Sequence, residues 1–273
     1  MCYTVRMKKK RVIILAALLL IAALIFWFFY PLRSYVVMGV YSGQHSRESV
    51  MKQQGFTVDI PAGKGWYPFM LTYNADGFAA WSGMDADMTI LYNFGAFDMG
   101  TRTSTIYDTG SDKYCAFYGA YMLQEDVGAF GFTPDGMVDM NAITLAFEYD
   151  DTVLVLEGFG CDAPVFELDD YTVEGGVDYA GFDGWTRIDA ELTVSGVAHN
   201  YQESYMAYLQ YGPPTQAVDE DFAETNLKGR MLIRYFEEYG CTVMLYALAP
   251  DAVTVDACYA EMLSRTVIAP LQQ

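Results

Sequence analysis

The alternation of apolar and polar positions changes character twice along this chain. From Val12 to Tyr30 there is no charged residue, and the apolar stretch reaches Leu32 before Arg33 interrupts it. A helix rises about 1.5 Å per residue, so roughly 20 residues cross a hydrocarbon core of ~30 Å. The pattern therefore predicts a transmembrane anchor over residues 12–32. Trp27 and Tyr30 fall near its outer end, where amphipathic rings favour the interface. Arg6, Lys8, Lys9, Lys10 and Arg11 precede it, so residues 1–11 are expected in the cytoplasm and the C-terminal part outside. Met7-Lys8-Lys9-Lys10-Arg11 reads as a natural start. A cleaved signal peptide would have a shorter apolar core and small residues at its cleavage site. Here the run leads into Phe26-Trp27-Phe28-Phe29-Tyr30-Pro31, and no cysteine follows to carry a lipid. An uncleaved, single-pass signal-anchor is the expectation.

Residues 33–55 read as a tether. Ser46 to Gln54 suits a short helix stopped by Gly55, with His45, Arg47, Glu48 and Lys52 exposed. From Phe56 the period shortens to two. Phe56-Thr57-Val58-Asp59-Ile60 predicts a strand ending at Pro61, and Met88, Ile90, Tyr92 and Phe94 mark one face of another. Ile143, Leu145, Phe147 and Tyr149 alternate in the same way. With Asp150-Asp151 as a turn into Thr152-Val153-Leu154-Val155-Leu156, they predict a hairpin. A second hairpin joins Met231–Phe236 to Cys241–Leu248 through a turn ending at Gly240.

Two helices are expected among these strands. Asn200 and Glu203 match a capping box, and Gly212 with Pro213-Pro214 closes the helix at Tyr211. After Pro250-Asp251, the spacing of Val255, Cys258, Tyr259, Met262 and Leu263 lays one apolar stripe along a helix that must pack on something. Residues 112–125 suit either helix or strand. The fold class is α+β, with an N-terminal transmembrane helix followed by a mainly antiparallel sheet domain carrying a few packed helices. Residues 56–273 read as one domain, and the Asp-, Gly- and Tyr-rich stretch 169–184 is the best place for a subdivision.

Charge sharpens this division. No Asp or Glu precedes residue 34, whereas six of the 16 basic residues lie at or before Arg33. The remainder holds 10 basic and 35 acidic residues, a net charge of −25. Such a surface argues against nucleic acid, whose binding needs cations to neutralise phosphates. With 43 aromatic residues and 53% hydrophobic composition, this part is expected to fold. Cys115, Cys161, Cys241 and Cys258 allow either two disulfides or buried thiols, and their wide spacing lacks the pairing of a zinc site.

The ends of the domain carry a resemblance. Phe56-Thr57-Val58-Asp59-Ile60-Pro61 followed by Trp66 resembles the opening strand of PsbP-like domains. Lys228-Gly229-Arg230, the hairpin to Ala249, the helix through Ser264 and a last strand near Val267 are similar to their close. The resemblance covers about a quarter of the chain. It implies an extracytoplasmic accessory domain that binds partners, and it assigns no functional residue.

Catalytic templates are missing. The two histidines, His45 and His199, leave little for a Ser-His-Asp hydrolase, and no G-x-S-x-G elbow frames Ser42, Ser82 or Ser195. Asp85/Asp87, Glu237/Glu238 and Asp219/Glu220/Asp221 are carboxylate neighbours in sequence, as a glycosidase-like pair would require in space. No H-E-x-x-H, EF-hand or phosphate-cradling loop is present, so no cofactor or metal is expected. Trp66, Trp81 and Trp185 each sit beside a glycine or a turn. There a ring could face solvent and stack on a sugar or peptide, although strands also bury such rings. The resulting expectation is a non-enzymatic, membrane-anchored binding or accessory module of the cell envelope. Its partners would be the bilayer through residues 12–32 and an envelope protein or glycan. A hydrolase using a carboxylate pair is the alternative.

Overall fold

The computed structural model describes residues 2–100, 103–125, 128–197, 205–212 and 222–271. Helix α1 (Cys2–Phe28) contains an apolar span, Lys10–Phe28, that is 19 residues long and buries none of itself in the protein. By length and composition it is able to cross a membrane. The span expected to reach residue 32 ends earlier. The helix is interrupted at Phe29, and α2 (Tyr30–His45) begins with Pro31 in its first turn, where a missing N–H costs nothing. The Arg33 guanidinium fills the junction between α1 and α2. It lies 5.7, 4.8 and 4.6 Å from the rings of Trp27, Tyr30 and Tyr208, and donates to the Trp27 carbonyl at 3.3 Å.

Residues 33–55 are not a tether. Ser34, Met38 and Ser42 recur every four residues and form the buried stripe of α2, which lies along the edge of the main sheet. An edge strand exposes unpaired N–H groups, and α2 satisfies them here. In β2 (Leu71–Asn74), Thr72 N donates to Ser42 Oγ at 2.8 Å and Asn74 N donates to His45 Nδ1 at 3.1 Å. His45 is therefore half-buried rather than exposed, stacked on Tyr73 with ring centroids 5.0 Å apart. The short helix expected after it is α3 (Val50–Gln53), capped by Ser49 and ended at Gly55, whose φ of +74° only glycine adopts freely.

The domain is α+β. Its core is a seven-stranded antiparallel sheet in the order β2-β3-β6-β10-β9-β8-β7. The strands are β3 (Ala86–Phe94), β6 (Phe117–Glu125), β7 (Phe166–Tyr179), β8 (Phe182–Ser195), β9 (Glu224–Phe236) and β10 (Cys241–Ala249). The β9–β10 hairpin has the predicted form, and the ambiguous stretch 112–125 yields β6. A ribbon joins β1 (Phe56–Asp59) to β11 (Val267–Pro270), so the two ends of the domain meet. A two-residue pairing links β4 (Phe97–Asp98) and β5 (Thr103–Ser104), and a five-residue helix, α4 (Phe78–Ser82), precedes β3.

Residues 169–184 do not divide the domain. They form most of the β7–β8 hairpin, turned by Ala180 and Gly181 with φ of +49° and +80°. Their acidic, glycine-rich composition reflects an exposed edge strand, where charge discourages pairing with another chain.

Each face of the sheet is covered. On one side lie the β1–β11 ribbon and α7 (Ala252–Ala257), which continues as a wider π-helical turn, Cys258–Met262, and a 3-10 turn, Leu263–Arg265. Val255, Cys258, Met262 and Leu263 are buried as the stripe predicts, and Tyr259 is half-buried. The other face carries α5 (Met140–Glu148), a π-helix, Tyr149–Leu156, and α6 (Tyr205–Tyr211).

The hairpin expected over 143–156 is therefore wrong. Asp139 caps α5 by accepting from Asn141 N at 3.0 Å and Ala142 N at 3.3 Å, and the buried residues Ala142, Ile143, Ala146 and Phe147 follow a helical rhythm. Short apolar runs fit both periods, and the N-cap decides between them. Tyr211 ends α6 at Gly212 as expected, while Asn200 and Glu203 lie outside the described residues.

Candidate functional site

Strand alternation puts Ile90, Tyr92 and Phe94 of β3 on the face that α5 covers, beside Tyr121, Gly119 and Phe117 of β6 and Met244, Tyr246 and Leu248 of β10. Gly119 is the centre of this three-by-three array, in register with Tyr92 on one side and Tyr246 on the other. It must be glycine because β3 approaches closely: a Cβ there would lie 1.9 Å from the Leu91 carbonyl oxygen. The array therefore has a gap at its centre, ringed by aromatic side chains. Tyr121 and Tyr246 stack with centroids 4.6 Å apart, and Phe147 from α5 meets both edge-on at 4.7 and 5.4 Å.

The covering layer brings charge to this gap. In a π-helix the hydrogen bonds run i to i+5 and the turn widens, so consecutive residues share a face more readily than in an α-helix. Asp150, Asp151, Leu154 and Val155 all line the cavity from the π-helix, with Gly158 just beyond it. Tyr121 donates to Asp150 Oδ2 at 2.6 Å. Asp151 Oδ2 is buried and has no hydrogen-bond partner among the described residues. Both residues are half-buried and both line the cavity. Burial pushes the Asp150 carboxyl up to about 6, against the opposing pull of the Tyr121 hydrogen bond. Burial, with the neighbouring Asp150 charge, holds Asp151 far above the ordinary carboxylate range.

Two helices complete the enclosure. α6 contributes Ala207, Gln210 and Tyr211, and α2 contributes Tyr41. Gln210 is fixed at both side chain and backbone: its side-chain amide donates to the Tyr92 hydroxyl, and its backbone carbonyl accepts from Ser34 Oγ at 2.9 Å. The cavity measures about 170 Å³, room for about six waters at ~30 Å³ each or for a ligand of up to about ten non-hydrogen atoms. Its described lining includes six tyrosines and two aspartates but no Lys, Arg or His.

No family model, curated protein or solved structure matches the chain. The chemistry of the site rests on its own geometry.

The tryptophans do not converge on this site. Trp66 is buried, edge-on to Tyr118 at 5.0 Å with Lys113 over its face. Trp185 is fully buried and donates from Nε1 to the Tyr179 carbonyl at 2.9 Å. Of these three, Trp81 alone is exposed, at 40%, with its ring tilted against Tyr149. Of the carboxylate neighbours in sequence, Asp85, Asp87, Glu237 and Glu238 are exposed, while Asp219, Glu220 and Asp221 lie outside the described residues, as does His199.

Cys115, Cys161, Cys241 and Cys258 are buried free thiols. Burial pushes three of them, Cys115, Cys241 and Cys258, up to about 12, which makes them poor nucleophiles. Among the described residues no three His, Cys, Asp or Glu side chains gather to hold a metal ion. Asp150 and Asp151 escaped the sequence reading because Asp-Asp between two apolar runs resembles a turn. Tyrosine at positions 92, 121 and 246, inside apolar strands, was the available signal, since a buried phenol needs a polar partner.

Proposed function

We propose that this chain is a membrane-anchored binding module whose folded domain lies outside the membrane and takes a small ligand into the tyrosine-walled cavity. The observation that carries the reading is Asp151 Oδ2. A buried acceptor without a donor costs about 1–3 kcal/mol, and more if charged, so its persistence calls for a function. Anchoring is supported by the apolar span Lys10–Phe28, and the outward orientation by the basic residues before it. An accessory role of the kind the PsbP-like resemblance implies fits a domain whose two resembling ends pair as β1 and β11. A cavity of this size suits a small molecule better than a glycan chain, and the burial of Trp66 and Trp185 removes two stacking surfaces.

One observation favours a second reading, the hydrolase with a carboxylate pair. Asp150 and Asp151 hold one carboxyl neutral while the other ionises near pH 6, the division of labour that acid–base catalysis uses. Both readings are tested by screening the full chain in lipid nanodiscs for thermal stabilisation by compounds of about ten non-hydrogen atoms or fewer. Binding predicts hits that are recovered unchanged and lost in Asp151→Leu. Chemical conversion of a hit supports the hydrolase, and a screen without an Asp151-dependent hit contradicts both.

A further inference from the structure

We infer that the ligand of this cavity is a small organic cation, a primary ammonium carried on a short apolar body. The inference rests on reading the cavity as the ligand site and goes on to name the ligand's chemistry. Asp150 and Asp151 both line the cavity; Asp150 receives one hydrogen bond, from Tyr121, and the enclosed Asp151 Oδ2 has no partner among the described residues. No basic side chain in the described lining balances the Asp150 carboxylate, and a cation placed beside the pair would favour ionisation of Asp151 as well. A primary ammonium brings three N–H donors and one positive charge, which answers both deficits.

The walls fit the rest of such a molecule. Tyr92, Tyr121 and Tyr246 bring π-systems whose faces are negative and attract cations, an effect that strengthens away from water. Ile90, Leu154, Val155 and Leu248 supply apolar surface for a hydrocarbon body. An anion would meet like charge. A hard metal ion would want six or more oxygen ligands, and no third His, Cys, Asp or Glu joins the two aspartates among the described residues. A neutral alcohol would donate a hydrogen bond but leave the charge unmatched.

The test holds shape constant and varies charge. The full chain in phosphatidylcholine nanodiscs is titrated calorimetrically with 2-phenylethylamine, 2-phenylethanol and phenylacetate. The amine is expected to bind at least about tenfold tighter than the alcohol, equivalent to ~1.4 kcal/mol, with no binding of the acid. Asp151→Asn, which keeps the shape and removes the carboxyl that could ionise against the cation, is expected to erase the amine's advantage. Equal affinity for amine and alcohol would overturn the ammonium assignment while leaving the cavity a ligand site. If none of the three binds and Asp151→Asn leaves the protein's behaviour unchanged, the ammonium assignment and the ligand-site reading both fall. A further titration, with an acetylated pentapeptide carrying one lysine, separates the sources of the ammonium. Tighter binding of the free amine supports a small molecule, and tighter binding of the peptide overturns it in favour of a partner's lysine.

Discussion

Tyr121, on the central sheet, holds Asp150, on the covering π-helix, through a 2.6 Å hydrogen bond. The same ring stacks on Tyr246, so the carboxylate is tied to two strands at once. Tyr121→Phe keeps the stack and removes the donor. It is expected to cost about 1–3 kcal/mol in denaturant melts, because the partner left behind is a buried acid. It should also raise the Asp150 pKa further, since that hydrogen bond favours the ionised form, and carboxyl chemical shifts followed against pH would read the change.

The aspartate pair predicts an unusual pH dependence. Asp150 titrates near 6 in the folded state, against about 3.9 when unfolded. Between those values the folded state binds more protons, so stability falls as pH rises from about 4 to 6. Asp151, held higher still, extends the loss upward. Asp151→Asn is therefore expected to raise the melting temperature at pH 7.5 and to flatten the decline between pH 5 and 7.5. A gain of ~1 kcal/mol is worth about 2–4 °C in a domain of this size. A lower melting temperature with an unchanged slope would show that Asp151 is not desolvated.

The C-terminal helical segment offers a packing test. Met262 and Leu263 are buried against the sheet, whereas Glu261 is exposed. Met262→Asp or Leu263→Asp should cost several kcal/mol by burying an unpaired charge, and Glu261→Ala should stay within about 0.5 kcal/mol. Equal denaturation midpoints for the three variants would contradict this packing.

Orientation has its own measurement. Protease added to spheroplasts is expected to digest the domain and spare residues 1–11, and full protection of the domain would reverse the proposed topology. N-terminal sequencing of the mature chain that begins after Pro31 would show cleavage instead of anchoring.

Much of the architecture was legible because it depends on local periodicity. The strands at 56–59 and 88–94, the β9–β10 hairpin and the stripe from Val255 to Leu263 follow directly from spacings of two and of three to four. What escaped depends on contacts distant in sequence. The serines of α2 look like tether residues until Ser42 is seen accepting from Thr72 of an edge strand 30 residues away. Asp150 and Asp151 look like a turn until α5 is capped by Asp139 and the π-helix carries both into the sheet's gap. That gap is itself invisible in sequence, since Gly119 reads as a weak point in a strand and its role depends on the neighbouring Leu91 backbone.

The central claim, that Asp151 serves a ligand in the cavity, is most directly tested by native mass spectrometry of the full chain released gently from its own membranes. The account predicts a wild-type population carrying one small molecule per chain, absent from Asp151→Leu. Wild type and variant both appearing only at their bare masses would contradict it.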